Sequence, residues 1–494
     1  MKIIDTSEVT PDALTKWERD QVYNGLDCCV TAEVLDVLLP QLDEFTTRTY
    51  EFSKSLQAPV LEMRLRGVLV DQARKEEVIE EFYEKLDRLE RNLDRIVLEG
   101  VGMPTFNWRS NPDLRRLFYD YLGIPVIRKA GKPTTERDAL ERMEAYSIAA
   151  PIVRHLLAIR DLGKKIGVLR TDIDPDGRIR TSYNIAGTST GRFSSSLSEF
   201  GTGTNLQNIE ESLRSIFIAD SGCKFAKFDA KQGESYVVGG IEWNLFQDGK
   251  YLDACESGDI HTAVAKICWP EVHWTGDRRL DKEIAEKPYY RHYSRRFMCK
   301  KIGHGTNYGG KPRTLSNQAK IELGAVEQFQ PKYFLAFPAH QRWHAWTQAQ
   351  LYATGTIISL TGRKRQFWGR RNDDSTLREA MGFQGQALVD IVNRGMLNIW
   401  HARDAILMMH DHDALTVQYP EEQEDDIVPK ILAQLEVPIP LENGRTLLIP
   451  YDCKVGWNKG EFDAKTNPDG LRDYDPNDKR RRTPPVHILD RCVR

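Results

Sequence analysis

The sequence is short of cysteine, of charge imbalance and of long apolar runs, and each shortage removes a class of protein. Eight cysteines in 494 residues, with no Cys-x-x-Cys pair, are too few and too scattered for a disulfide scaffold or a structural zinc site. Free thiols in a reducing, cytoplasmic compartment are the expectation. No stretch approaches the ~20 consecutive apolar residues that span a bilayer, and Met1 to Thr6 lack an apolar signal core, so no membrane partner is expected. The 69 basic and 72 acidic residues leave a net charge of −3. That excludes a polycation holding nucleic acid by bulk charge, though not a protein whose cations are gathered in one cleft. No repeat with a period of about 20–50 residues is present, which excludes solenoids and propellers.

What remains is a chain with 40% hydrophobic residues and 35 glycines, able to build a large core and long enough for roughly three domains of ~150 residues. Helical spacing runs from Asp20 to Leu42 through Val22, Leu26, Val30, Val34, Leu35 and Leu38. Gly67 to Asp71 reads as a short extended segment. A charged helix follows, with Val78, Ile79, Phe82, Leu86, Leu89, Leu93 and Ile96 on one stripe. Asn111-Pro112 announces another helix as cap and first-turn proline, and a third begins near Thr135. Short strand-like runs start at Arg178, helices return between 230 and 405, and the whole is α+β in character. Residues 464–494, with the run Lys479-Arg480-Arg481-Arg482, read as a mobile basic tail.

Two acidic segments stand out. Lys224 to Asp229 is a short strand ending in aspartate, followed by Ala230, Lys231, Gln232, Gly233 and Glu234. Ala405 to Asp413 is an apolar strand ending in His410-Asp411-His412-Asp413, which re-enters strand at Ala414, a hairpin with carboxylates at its tip. Two aspartates on adjacent strands are the economical device for clamping divalent ions in phosphoryl transfer. By residue type alone, each segment reads equally well as a turn or surface loop. Zinc is disfavoured at the hairpin, because consecutive strand residues alternate faces and cannot converge on one ion.

Between Arg291 and Tyr308, Arg296, Lys300, His304 and Tyr308 recur every fourth residue and form one row on a helix. Cations at one end and an aromatic ring at the other suit a nucleoside triphosphate; a solvated basic helix is the plainer alternative. Gly303 and Gly305 each cost about 1 kcal/mol inside a helix, and would be tolerated if a bulky ligand passes close to the backbone.

In chain order these pieces resemble the family A DNA polymerases, the DNA polymerase I type, in a phage-like form. Thr188 to Ser196, Asn205-Leu206-Gln207-Asn208-Ile209 and Arg214 resemble the family's primer-template segment. Asp229 with Gln232 and Glu234 is similar to its first catalytic motif, and Gly258-Asp259-Ile260-His261-Thr262 follows. Arg296-x3-Lys300-x7-Tyr308-Gly309 resembles the nucleotide helix, Gln384-Gly385 the minor-groove helix and His412-Asp413 the last motif.

The resemblance covers about residues 55–460 and implies a right-hand fold with an antiparallel palm sheet and mainly helical thumb and fingers. It implies a thumb at 55–175, a palm at 176–254 and 371–463, and fingers at 255–370. The implied reaction is template-directed extension of a primer 3′ end from deoxynucleoside triphosphates in DNA replication. Asp229, Asp413 and the adjoining Ala230 would hold two Mg²⁺ ions, and Lys300 would assist the leaving group. Arg296, Lys300, His304, Tyr308, Gln232, Glu234 and His261 would form the nucleotide site, with Glu234 under the sugar excluding a 2′-hydroxyl. Tyr308 would stack where the template base enters. Arg192, Asn205, Gln207, Asn208, Arg214, Gln384 and His412 would bind primer and template.

Four departures from the family pattern are visible. Ala414 stands where the last motif usually has glutamate, and an alternative frame puts His410-Asp411 there; the ungapped continuation through Tyr419 favours Asp413. His304 replaces the usual Phe or Tyr, and Thr376 and Ala380 stand where Arg and Asn are frequent. Tyr23-Asn24-Gly25-Leu26-Asp27 resembles the closing motif of the family's 3′–5′ exonuclease, so residues 1–54 read as a helical remnant without proofreading, and a separate exonuclease polypeptide becomes an expected partner.

Overall fold

The computed structural model describes residues 14–477. Helix α1 (Lys16–Leu38) begins a turn before its apolar spacing predicts, because Thr15 and Glu18 form a capping box. None of its residues is buried, and Trp17, Tyr23, Val30 and Val37 are more than half exposed. Strand β1 (Val68–Val70) lies between Arg178–Ile179 and Phe217–Ile218 in a small antiparallel sheet. Asp71 then caps α2 (Gln72–Arg95), accepting the Arg74 N–H at 3.0 Å, and the expected stripe buries Val78, Phe82 and Leu93.

Ser110, not Asn111, caps the next helix. Its extended backbone lets the hydroxyl accept the Asp113 N–H at 3.3 Å, whereas Asn111 is already helical. Helix α3 (Ala150–Leu169) packs along α2, and its Ile152, Val153, Leu156 and Ile159 close a separate core with Leu114, Leu117, Phe118 and Leu140.

The central sheet is built on β2 (Cys223–Ala230), which runs into α4 (Gly233–Phe246). Helices α5 (Ile260–Cys268), α6 (Arg295–Asn307) and α7 (Pro338–Ala353) follow, joined to α4 by one large core that includes Val238, Phe329, Tyr333 and Trp343. Gly305 on α6 has a packing reason of its own. A Cβ there would lie 2.5 Å from Leu315 Cδ2, on the helix packed against it. The hairpin β3 (Thr356–Ile358) and β4 (Lys364–Gln366) leads to α8 (Asp374–Gly385) and α9 (Leu388–Ala402). The chain then returns to the sheet as β5 (Ile406–His410), β6 (Ala414–Pro420), β7 (Tyr451–Gly456) and β8 (Arg472–Asp473).

The strand order is β5-β6-β2-β7-β8, antiparallel throughout. Register pairs Ala414 of β6 with Asp229 of β2, and Asp452 of β7 with the same Asp229 on its other side. The first part of the expected tail is a correction. β8 pairs with Lys454–Val455, and Leu471 is buried with its N–H on the Gly460 carbonyl at 2.6 Å, so residues up to Asp473 belong to the sheet edge. The Lys479–Arg482 run lies outside the described residues.

Replacing the fully buried Leu156 by alanine should cost roughly 2–5 kcal/mol, through lost transfer energy plus the cavity left behind. Urea unfolding would measure the loss, and hydrogen exchange should show it concentrated in the α2–α3 core.

Candidate functional site

Asp229 sits one residue from the end of the central strand, where the hydrogen-bond ladders on both sides fix its direction. Asp413 immediately precedes β6, and its carbonyl accepts the Ala230 N–H at 3.0 Å. The hairpin tip is thereby laced to the end of β2. Burial first, and then the charge of Asp229, push the Asp413 carboxyl above the ordinary carboxylate range. Lys227, two residues back on the same face, donates to Asp229 Oδ2 at 3.1 Å. The turns beside both acids are left-handed at non-glycine residues, Gln232 with φ 53° and His412 with φ 66°. Conformations of this kind cost on the order of 1–3 kcal/mol and persist where the surroundings over-determine them.

Asp411 is directed elsewhere. Its carboxylate accepts from Lys459 Nζ at 2.8 Å, and that lysine side chain is only 3% exposed. His410 is buried, with Nε2 2.8 Å from Asn393 Oδ1, and burial lowers its pKa to about 4. His412 is lowered too, by burial and then by Arg192.

Among the described residues no group of three or more His, Cys, Asp or Glu side chains is arranged to hold a metal. The available donor set is a pair of mutually repelling carboxylates, Asp229 and Asp413, beside Ala230. Such a pair suits a hard divalent ion of the Mg²⁺ kind, which takes one or two carboxylates and completes its shell with water and phosphate oxygens.

Ser294 caps α6, accepting the Phe297 N–H at 3.1 Å, and sets the phase of the helix. Arg296 lies 3.3 Å from Asp259 Oδ1, and Asp259 is also the cap of α5. Burial, then the charges of Arg296 and Lys300, hold His261 down to about 4, so it is neutral at physiological pH. Lys300 is exposed and has no ion-pair partner among the described residues.

Glu234, in the first turn of α4, ties the row to the sheet. It accepts from Arg192 Nη2 at 2.9 Å and from the Tyr308 hydroxyl at 3.0 Å, with His304 Nε2 at 3.5 Å. Burial and the Glu234 charge push the Tyr308 phenol up. Tyr308 also meets Trp343 edge-on, with ring centroids 6.1 Å apart.

Asp229, Asp413, Arg192, Glu234, His304 and Tyr308 thus converge, with Gln232 at the N-cap position of α4 beside them, and the cations Arg296 and Lys300 with the neutral His261 form an adjoining group. The expected primer-template residues divide. Gln207 Nε2 donates to the His410 carbonyl at 3.2 Å and approaches His412 Nδ1 at 3.5 Å, which joins its loop to the hairpin. Asn205 accepts the Gln207 N–H at 3.0 Å, Arg214 donates to the Ile209 carbonyl at 3.1 Å, and Asn208 is exposed. Gln384 is buried on α8, its amide spent on Trp343 and Thr347 at 3.0 Å each. Asp27 is exposed on α1, apart from any such group. Sequence reasoning missed Lys459 and the pairing of Arg296 with Asp259. Both are contacts between segments distant in the chain, with no local pattern to mark them.

Because the Asp413 pKa is raised in the fold, its ionisation opposes folding. That contribution is most favourable below the unfolded carboxylate pKa and is lost as pH rises through the folded value. Metal-free Asp413→Asn should therefore be more stable than wild type at neutral pH, with the gain vanishing in acid, as urea midpoints across pH would report. Lys459→Met should cost about 3–5 kcal/mol by stranding Asp411, and the Lys459→Met, Asp411→Asn double variant should recover much of it.

The chain is 28% identical over 461 residues to a thermostable DNA polymerase I of Thermus filiformis, covering 87% of this chain and 50% of that protein. It is 26% identical over 461 residues to DNA polymerase I of Deinococcus radiodurans, covering 88% and 44%. The chain thus spans about half the length of the curated relatives it matches. The structure of the POL domain of Pol1 from M. smegmatis, in complex with DNA primer-template and dNTP, superposes with a TM-score of 0.65 at 23% identity, over 82% of this chain and 69% of that one. The antiparallel sheet with its helical flanks is therefore the right-hand polymerase fold. The model of DNA polymerase family A matches residues 72–460, and the chain belongs to that family.

Proposed function

We propose that this chain extends the 3′ end of a primer on a DNA template, joining deoxynucleoside monophosphates and releasing pyrophosphate. The observation that carries the proposal is the carboxylate pair, Asp229 on β2 and Asp413 on the turn just before β6, held together at a cost that a bound cation would relieve. The primer-template and dNTP bound to the mycobacterial domain support the same substrates here.

Asp229 and Asp413, with Ala230 beside them, would hold two Mg²⁺ ions. When bound, these would supply Lewis acidity to the attacking hydroxyl and the departing phosphate. The chain's own groups do the rest. Arg296 would exchange Asp259 for phosphate oxygens, a swap made easier by its long 3.3 Å contact. Lys300, exposed and unpaired, would meet the leaving pyrophosphate, and neutral His261 would hydrogen-bond a phosphate without adding charge. Glu234, immobilised by Arg192 and Tyr308, would close the space that a 2′-hydroxyl needs. His304 would border the sugar and Tyr308 the entering template base.

Arg192, Asn205, Gln207, Asn208, Arg214 and His412 would face the primer-template. Gln384 joins them by giving up its present partners. In this reading residues 55–175 are the thumb, 176–254 and 371–463 the palm and 255–370 the fingers. Residues 1–54 carry no editing activity of their own. Cys28, Cys29, Cys223, Cys255, Cys268 and Cys299, all free thiols, suit a reducing cytoplasm.

Primer extension with four deoxynucleotides and Mg²⁺ tests the proposal. Asp229→Asn and Asp413→Asn should each lower the rate by roughly a thousandfold, since several kcal/mol of transition-state stabilisation rest on them. Glu234→Ala should raise ribonucleotide incorporation relative to deoxynucleotide. A wild type no faster than Asp229→Asn would refute the assignment.

A further inference from the structure

The loop between β4 and α8 carries the most exposed large apolar side chain among the described residues, Trp368, at 90% exposure. Its neighbour Phe367 points the other way and is buried with Leu351, Ile357, Ala380 and Phe383. The loop is therefore anchored in the core at Phe367, while the indole of Trp368 is left to solvent. Cations flank it in the sequence. Residues 363–371 include Arg363, Lys364, Arg365, Arg370 and Arg371 and no acid. The first three have acidic partners, Asp390, Asp43 and Glu379. Among the described residues neither Arg370 nor Arg371 has one, although the Arg371 guanidinium donates to the Tyr352 carbonyl at 2.8 Å, which fixes it beside the loop.

An exposed aromatic ring near two guanidinium groups that have no ion-pair partner among the described residues, with Asp373 the nearest acid in the loop, has the composition that binds unpaired nucleotides: the ring stacks on a base and the cations meet the phosphates. A protein partner of ordinary interface character would need an apolar surround, whereas Gly369 to Asp374 around Trp368 are small or polar and exposed. The loop also lies at a telling distance. It opens α8, whose 12 residues span roughly 18 Å, and the far end of α8 places Gly385 against the Tyr308 hydroxyl at the candidate site.

We propose that Trp368, Arg370 and Arg371 form a docking platform for the single-stranded template ahead of the site, several nucleotides before the base being copied. The platform rests on the polymerase reading above. It is separate from the residues assigned to nucleotide or primer-template there.

Two primed DNAs with the same duplex and the same templating base distinguish the possibilities, one with a one-nucleotide 5′ template overhang and the other with an overhang of about 20 nucleotides. Affinities are measured by fluorescence anisotropy across salt concentrations, and extension rates on both DNAs. Wild type should bind the long overhang more tightly. Trp368→Ala should lose about tenfold on the long overhang and nothing on the short one, and Trp368→Tyr should restore the difference. Arg370→Gln with Arg371→Gln should reduce the salt dependence on the long overhang by about two phosphate contacts. Equal affinity of wild type and Trp368→Ala for the long overhang overturns the platform. So does an equal loss on both DNAs, which would assign the contact to duplex. Failure of the polymerase reading shows separately, as a wild type that extends neither DNA, while the anisotropy comparison still decides the platform.

Discussion

Two carboxylates held against each other by the register of a sheet are the constraint on which the rest of the site depends. Asp229 cannot move away from Asp413, because β2 is bonded on both sides and the Ala230 N–H is tied to the Asp413 carbonyl. In water two such groups would separate; here the backbone ladder prevents it, and burial, with the charge of Asp229 added to it, raises the Asp413 pKa. The surrounding cations share the compensation. Lys227 lies along Asp229, Arg192 lies near Asp413, and Lys459 neutralises Asp411 so that a third acid adds no uncompensated charge to the tip. Two left-handed residues, Gln232 and His412, mark where the backbone yields to this arrangement.

Glu234 connects that constraint to the helical half of the molecule. It stands one turn beyond Asp229 on the helix that leaves β2, and it receives Arg192 from the loop before the sheet and Tyr308 from the end of α6. A single carboxylate therefore registers α6 against the sheet. Gly305 of α6 serves the same end from behind, since it lets Leu315 approach where a Cβ would collide. Arg296 is held by Asp259 at the opposite end of the helix, so the row stays anchored at both ends while its middle, Lys300, faces solvent.

The site was legible to the extent that its residues are local in sequence. The four-residue spacing from Arg296 to Tyr308, the strand ending at Asp229 and the hairpin ending at Asp413 all express a helix or strand period, and the structure carries them on α6, β2 and the β5–β6 turn. Where local pattern misled, a neighbour distant in sequence was responsible. Val30, Val34 and Leu35 follow a helical stripe and yet stay exposed, on a helix none of whose residues is fully buried. The tail beyond 464 looked unable to bury anything, yet β7 supplied an open edge to which β8 could add.

By itself the sequence determined the element types, the order of the motifs and the identity of the acids and cations, because period, capping and turn chemistry act within a few residues. Only the tertiary structure decided which acid meets which. Asp413 rather than Asp411 faces Asp229, since Lys459, 48 positions further on, claims the other carboxylate. Pairing of that kind depends on strand register and on the burial of charge. Both are properties of the assembled sheet, absent from any one segment of the chain.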